Sequence, residues 1–134
     1  MWIFTTDGFF SAVENRYQPD FILVRSRWKK DLERLLRYLS PSRLDETFDQ
    51  PLHDESEASW NRTDLSIQET PSADYPFRMN VTKREWSNYL RSTAEGIDYG
   101  NFKDRIHASS ADNDDPEGRL GKYFQVWAAL RGKD

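Results

Sequence analysis

The side chains of this sequence with the clearest chemical potential are arginines. Residues 22–43 hold seven Lys/Arg and two Asp/Glu, a local charge of 7 − 2 = +5, in a 134-residue chain whose formal charge is −4. Arg25 and Arg27 alternate on one predicted strand, and Arg78 and Asn80 alternate on another, so each pair points to one side of its strand. If the two sides coincide, the guanidiniums form a surface suited to phosphate or carboxylate, because each offers a planar fork of donors.

Aromatic residues near the N-terminus would extend this surface. Trp2 and Phe4 lie on the first predicted strand, and aromatic rings stack on bases in sheet-based RNA-binding proteins. The expected ligands are therefore a nucleotide or a short single strand of RNA. Duplex DNA is not expected, because its binding depends on neutralising many phosphates and the chain is negative overall.

Internal ion pairing is the more ordinary explanation for the same arginines. Ion pairs are common in folded proteins, and Asp20, Asp31 and Asp74 are available as partners. A binding face therefore requires that the guanidiniums share one side of the sheet and have no carboxylate of their own.

A second candidate site lies later in the chain. Tyr99, Asn101 and Lys103 bring a hydroxyl, an amide and a cation close to the start of a predicted helix, where an anion is favoured. A helix capped by Asp98, with Tyr99 in the core, explains the same segment without a ligand.

Catalytic and metal sites have weak support. His107 follows Asp104 by three residues on a predicted helix, but no nucleophile accompanies the pair. Segments 53–57 and 112–117 contain oxygen and nitrogen ligands without the spacing of a metal motif. We therefore expect no catalytic residue, no metal and no cofactor, although carboxylates that only folding brings together could still form a metal-dependent hydrolase.

Composition excludes several classes of protein. The chain has no cysteine, which rules out disulfides, thiolate zinc sites and thiol nucleophiles. It has no long apolar run, so we expect a cytoplasmic protein that does not bind a membrane. Aromatic residues make up 14% of the chain, enough for a packed core despite a charged content of 31%.

Alternating and β-branched segments predict four strands, over residues 2–6, 9–13, 21–26 and 77–81. Asp7-Gly8 is expected to form the two-residue turn of the first hairpin, with both residues at positive φ. Strands occur early in the chain and helices late. The predicted fold class is therefore α+β, a mainly antiparallel sheet packed by about four helices, with the last strand returning beside an earlier one.

Helical periodicity and capping signals locate the helices. Ser26 is expected to cap the first helix and Pro41 to end it. Thr82 and Glu85 form a capping box at the start of the second, and Gly96 ends it. The predicted buried stripes of the other three helices are, in chain order, Trp86, Tyr89, Leu90, Thr93 and Ile97; Tyr99, Phe102 and Ile106; and Leu120, Tyr123, Phe124, Trp127 and Leu130.

The predicted organisation is a single domain, residues 1–134, with a long and partly mobile acidic loop over residues 40–76. Residues 45–57 contain six acids and no Lys or Arg, and we expect them to be mobile. Trp60, Leu65 and Ile67 are expected to anchor the middle of the loop as a short strand or helical turn.

Several segments carry a resemblance to a known family. The chain opens with Met1-Trp2-Ile3-Phe4-Thr5-Thr6-Asp7-Gly8-Phe9-Phe10-Ser11 and contains Leu23-Val24-Arg25-Ser26-Arg27, Asp74-Tyr75-Pro76-Phe77-Arg78, Ile97-Asp98-Tyr99-Gly100-Asn101-Phe102-Lys103 and Tyr123-Phe124-Gln125-Val126-Trp127. In these pieces it resembles a family of small bacterial proteins without an assigned activity, so the resemblance implies no catalytic residue. The acidic stretch before Asp74 departs from the family.

Three functions remain open at this point. The first is a non-catalytic binding module for a phosphate-bearing ligand, built on the arginines. The second is a protein-interaction or regulatory module, with a homodimer as one form, because Trp, Tyr and Arg dominate protein interfaces. The third is an enzyme, which ranks last.

Overall fold

The structure, a computed structural model, describes residues 1–44, 65–109 and 118–132. The chain divides into two compact units, Met1–Gly96 and Ile97–Asp134. The first contains β1 (Trp2–Phe4), β2 (Phe9–Glu14), β3 (Phe21–Ser26), α1 (Lys29–Leu44), β4 (Gln68–Glu69), β5 (Phe77–Thr82) and α2 (Lys83–Glu95), and the second contains α3 (Phe102–Ser109) and α4 (Arg119–Leu130). No helix in these ranges is long and apolar enough to cross a membrane.

The strands form one antiparallel sheet with the order β1-β2-β3-β5-β4. This confirms the predicted α+β class, and β5 returns beside β3 as the simplest closure requires. The short strand β4 was not predicted, because two residues carry no recognisable periodicity.

The core lies between one face of the sheet and the helices α1 and α2. Side chains alternate along each strand, so only every second residue faces the helices. The strands contribute Phe10, Ala12, Val24, Met79 and Val81, and the helices contribute Leu32, Leu35, Leu39, Trp86 and Tyr89.

The first hairpin closes through a different turn from the one predicted. The Thr5 N–H donates to the Gly8 carbonyl at 2.9 Å, and neither Asp7 nor Gly8 has a positive φ. Glycine is needed at position 8 for space instead. A β-carbon there would clash with the side chain of Asp31.

Helix α1 begins and ends later than predicted. Ser26 is buried at the end of β3, and its hydroxyl accepts the Trp28 N–H at 3.1 Å, so it bridges strand and helix instead of capping the first turn. The helix begins at Lys29 and continues through Pro41 to Leu44. A proline inside a helix loses an N–H donor and crowds the carbonyl four residues earlier, which is why Pro41 predicted the end of this helix.

The capping box and the C-terminal end predicted for helix α2 are both confirmed. The Thr82 hydroxyl accepts the Glu85 N–H at 3.1 Å, and the Glu85 carboxylate accepts the Thr82 N–H at 2.8 Å. The helix stops at Gly96, whose N–H donates to the Ser92 carbonyl. Ile97 therefore lies beyond the helix and is 57% exposed, so its prediction as a buried residue was wrong.

In the second unit, α3 begins at Phe102. Its N-cap is Asn101, whose side-chain oxygen accepts the Lys103 N–H at 2.9 Å. Asp98, the predicted cap, lies outside the helix at 3.8 Å from Arg105. Asparagine and aspartate cap equally well, so sequence alone could not choose between them.

The aromatic contacts of this unit join α3 to α4. The Phe102 ring stacks on that of Tyr123 with centroids 6.1 Å apart, and Ile106 is buried. The predicted buried stripe of α4 is only partly correct, because contact with α3 buries one side of α4 and leaves the rest exposed. Its side chains that remain exposed are Phe124, Trp127 and Leu130.

The predicted loop over residues 40–76 contains ordered structure at both ends. It begins with the last residues of α1 and ends with the β4–β5 hairpin, closed by the Thr70 N–H donating to the Pro76 carbonyl at 2.7 Å. Leu65 and Ile67 pack against the core. Trp60 and the acidic stretch 45–57 lie outside the described residues.

Candidate anion-binding site

One residue from each of the five strands lies in a single row across the sheet. The register pairs Trp2 with Ser11, Ser11 with Arg25, Arg25 with Arg78, and Gln68 with Arg78. Directly opposite residues project from the same face. We call these five residues the arginine row, and they confirm that the polar faces of β3 and β5 coincide.

The arginine row lies on the face opposite α1 and α2. Val24 and Met79, the cross-strand pair one residue away from Arg25 and Arg78, are completely buried in the helix-covered core. Because side chains alternate, the two arginines must project from the other side. Their placement follows directly from strand register.

The two guanidiniums have few partners. Nη2 of Arg25 donates to the Ser11 hydroxyl at 2.8 Å, and Nη2 of Arg78 lies 3.4 Å from the Tyr75 carbonyl. The Nε atoms of both arginines are buried without a hydrogen-bond partner. Among the described residues, neither arginine forms an ion pair.

Tyr75 touches three cations and was not predicted as a site residue. Its ring centroid lies 5.0 Å from Cζ of Arg25 and 5.5 Å from Cζ of Arg27, and its carbonyl faces Arg78. Arg27 lies just past β3 and is exposed. The only signal in the sequence was that Tyr75 belongs to the segment leading into β5.

The carboxylates proposed as internal partners are elsewhere. Asp31 is completely buried on the helix side, where it forms an ion pair with Arg34 at 2.8 Å. Asp20 and Asp74 are exposed. The expectation that these acids neutralise the strand arginines was therefore wrong for the part of the chain that the structure describes.

Asn80 shares the face of the arginine row, but its side chain has a structural role. Its Nδ2 donates to Gln18 at 2.8 Å, and its Oδ1 accepts from Asn15 at 3.0 Å. Asn80 is buried. It therefore braces the connection between β2 and β3 and does not present its amide to a ligand.

The two predicted stacking residues differ in availability. Phe4 is stacked on Phe9 with centroids 4.6 Å apart. Trp2 meets Phe9 edge-on at 6.0 Å and is 71% exposed. Trp2 is thus the aromatic residue of the row with a ring surface open to solvent.

Tyr99, Asn101 and Lys103 belong to the second unit. Asn101 is used as the cap of α3, and the Lys103 ammonium lies 5.3 Å from the Phe124 ring centroid. The Tyr99 ring lies 6.2 Å from that of Phe102, so all three residues have contacts within their own unit.

A second polar cluster in the first unit surrounds the hairpin turn. The Asp31 carboxylate accepts the Phe9 N–H at 3.0 Å and the Ser26 hydroxyl at 3.2 Å, in addition to its contact with Arg34. Nε of Arg34 donates to the Asp7 carbonyl at 2.6 Å. We call this group the turn cluster, and it fixes α1 against the start of the sheet.

Tyr89 extends the turn cluster to α2. Its hydroxyl donates to the Asp7 carboxylate at 3.1 Å and lies 3.1 Å from the Thr5 hydroxyl. Burial of this hydroxyl, reinforced by the negative charge of Asp7, raises the pKa of Tyr89 well above its usual range. The ring is therefore neutral at any physiological pH.

In residues 1–44, 65–109 and 118–132, no group of three His, Asp or Glu side chains could hold a metal ion. The segments 53–57 and 112–117 considered for metals lie outside these ranges. His107 is in the last turn of α3.

The chain matches no family model, no curated protein and no solved structure.

Proposed function

We propose that this protein is a non-catalytic binding module for an anionic, phosphate-bearing ligand held by the arginine row. One observation carries the proposal: Arg25 and Arg78 are direct cross-strand partners, and neither has an ion pair in the described part of the chain. Like charges directly opposite one another destabilise a sheet. A bound anion would remove that repulsion.

The number and spacing of the donors favour a phosphate over a single carboxylate. Neighbouring strands lie about 4.8 Å apart, so two guanidiniums can each direct donors to the same group. A terminal phosphate offers three oxygens and close to two negative charges, which suits two cations better than a carboxylate does. Arg27 shares the Tyr75 ring with Arg25 and would add a third cation.

The groups around the row are suited to binding more than to catalysis. A general base must reach the proton that it removes, whereas the guanidiniums of the row are donors only. The hydroxyl of Ser11, itself a member of the row, is buried and accepts a hydrogen bond from Arg25. Both features support a module that holds its ligand unchanged.

The ligand classes that fit are a nucleotide and a short single strand of RNA. Both carry phosphate next to flat bases, and Trp2 provides an exposed ring in the same row. The chain's formal charge of −4 opposes the long-range attraction that a duplex would need.

Isothermal titration of the full chain with pyrophosphate, AMP and a short oligoribonucleotide tests this function. We expect at least one of these ligands to bind, and the Arg25→Ala/Arg78→Ala double variant to bind it at least tenfold more weakly, about the value of one charge-assisted hydrogen bond. The Arg37→Ala/Arg91→Ala variant removes the same charge from exposed helix positions, and it should bind like the unmodified protein. Equal weakening in both double variants would show that only net charge matters and would overturn the proposed site.

A further inference from the structure

The arginine row places an exposed indole and a guanidinium pair on the same line across the sheet. Trp2 and Arg25 both flank Ser11 in the register. They are two strand spacings apart, about 9.6 Å between backbones. Their long side chains project from the same face, so one ligand of modest size can contact both.

The indole of Trp2 is held in place and yet open. The Phe9 ring meets the indole edge-on, and the Phe4 ring stacks on Phe9. This three-ring arrangement restricts the Trp2 side chain, while most of its surface faces solvent. An exposed aromatic face of this kind is a stacking platform for a base, since every base has a π-face.

Resting on the proposed function, we infer that the ligand is a mononucleotide that lies along the row. Arg25 and Arg78 hold its phosphate, and its base stacks on Trp2. Its sugar lies over Ser11, which separates Trp2 from Arg25 in the row. A bare phosphate would leave the indole unused. A long strand would need further phosphate contacts, which a chain with a formal charge of −4 is poorly suited to provide.

Comparing AMP with ribose 5-phosphate by titration isolates the base. We expect AMP to bind at least about fivefold more tightly, since stacking of a single base has that value or more. The Trp2→Leu variant should bind both ligands as weakly as the unmodified protein binds ribose 5-phosphate. The Trp2→Phe variant keeps an aromatic ring and should retain most of the preference for AMP.

Separate outcomes overturn the inference and the proposed function. If AMP and ribose 5-phosphate bind equally, or if Trp2→Leu keeps the preference for AMP, the base does not stack on Trp2, although the phosphate site stands. A hexanucleotide that binds more than about tenfold more tightly than AMP would also overturn the inference, because a strand would then be the ligand. Failure of phosphate, pyrophosphate, ribose 5-phosphate, AMP and the hexanucleotide to bind would reject the proposed function itself. Urea unfolding of each variant shows whether it is folded.

Discussion

Arg34 and Arg78 are both partly buried in the first unit, but only Arg34 has a carboxylate beside it in the described part of the chain. Arg34, whose side chain is 26% exposed, reaches a completely buried Asp31 at 2.8 Å. Arg78 is also partly buried, but within the described part of the chain its guanidinium has one long hydrogen bond, 3.4 Å to the Tyr75 carbonyl. The guanidinium of Arg34 therefore has a carboxylate as its counter-charge in the turn cluster, whereas that of Arg78 has none among the described residues of the arginine row.

This difference separates a structural arginine from a candidate binding arginine. In the turn cluster, the Asp31 carboxylate binds Phe9 of the hairpin, Ser26 at the end of β3 and Arg34 of α1, so its charge is committed to the fold. In the arginine row, two guanidiniums face each other, which costs stability unless an anion arrives. The comparison predicts opposite responses to the same substitutions in the two places.

The largest expected effect is the loss of the carboxylate in the turn cluster. Asp31→Asn should lower the free energy of unfolding by about 3–5 kcal/mol, because it leaves the partly buried Arg34 without its counter-charge. Urea unfolding at neutral pH measures the change.

Glu95→Gln is the matched control for Asp31→Asn. It removes a carboxylate from the exposed Arg91–Glu95 pair, where the Glu95 side chain is 65% exposed, and should cost about 0.5 kcal/mol or less. Similar costs for the two variants would contradict the structural role of the turn cluster.

The same substitution at the two arginines tests the comparison directly. Arg34→Gln should destabilise the protein by about 3 kcal/mol, because it removes the counter-charge of the completely buried Asp31 carboxylate. Arg78→Gln should instead leave stability unchanged or raise it by up to about 1 kcal/mol at low salt, since it removes a like-charge pair. Unfolding curves at two salt concentrations distinguish these results.

Ligand binding should follow the opposite order. Arg78→Gln should weaken binding of AMP or pyrophosphate at least tenfold, whereas Arg34→Gln should leave it unchanged at temperatures where the variant is folded. If Arg78→Gln costs as much stability as Arg34→Gln, Arg78 has a structural partner and the comparison fails.

The sequence predicted the elements better than the partners of its charged residues. Capping boxes and alternating strands are local patterns, so α2 and the faces of β3 and β5 could be derived from neighbours a few residues apart. The Asp31–Arg34 pair has the i,i+3 spacing of neighbours on a helix and could have been predicted. The sequence does not contain the side of the sheet that α1 covers, and that placement separates Asp31 from the strand arginines.

The misplaced turn and the missed Tyr75 have similar causes. Gly8 looked like a positive-φ residue, but its real constraint is the proximity of Asp31, which is 23 residues away in sequence. Tyr75 meets Arg25 and Arg27 because it precedes β5, which pairs with β3 in the antiparallel sheet. Contacts between distant segments are what sequence patterns leave out.

A smaller effect concerns the tyrosine of the turn cluster and its dependence on pH. Because the pKa of Tyr89 is raised in the folded protein, the unfolded chain releases this proton first, near its ordinary pKa of about 10. The unfolded state then binds fewer protons, and stability falls as pH rises above about 10. Below that pH the contribution is fully present.

Tyr89→Phe should remove this alkaline sensitivity. At pH 8 the variant should be less stable by about 1 kcal/mol, through its lost hydrogen bonds to Thr5 and Asp7. The difference from the unmodified protein should shrink between pH 9 and pH 11, since all other tyrosines are common to both. A constant difference across this range would show that the hydroxyl is not buried as described.

The smallest expected effect is at Tyr75, which joins the arginines of the row without neutralising them. A cation–π contact at a partly exposed site has a value of about 0.5–1 kcal/mol. Tyr75→Leu should therefore weaken AMP binding by only about threefold, because the guanidiniums lose the ring that orients them but keep their charge. Tyr75→Phe keeps the ring and should bind like the unmodified protein. If Tyr75→Phe is as weak as Tyr75→Leu, the hydroxyl contacts the ligand directly, and Tyr75 belongs to the binding surface itself.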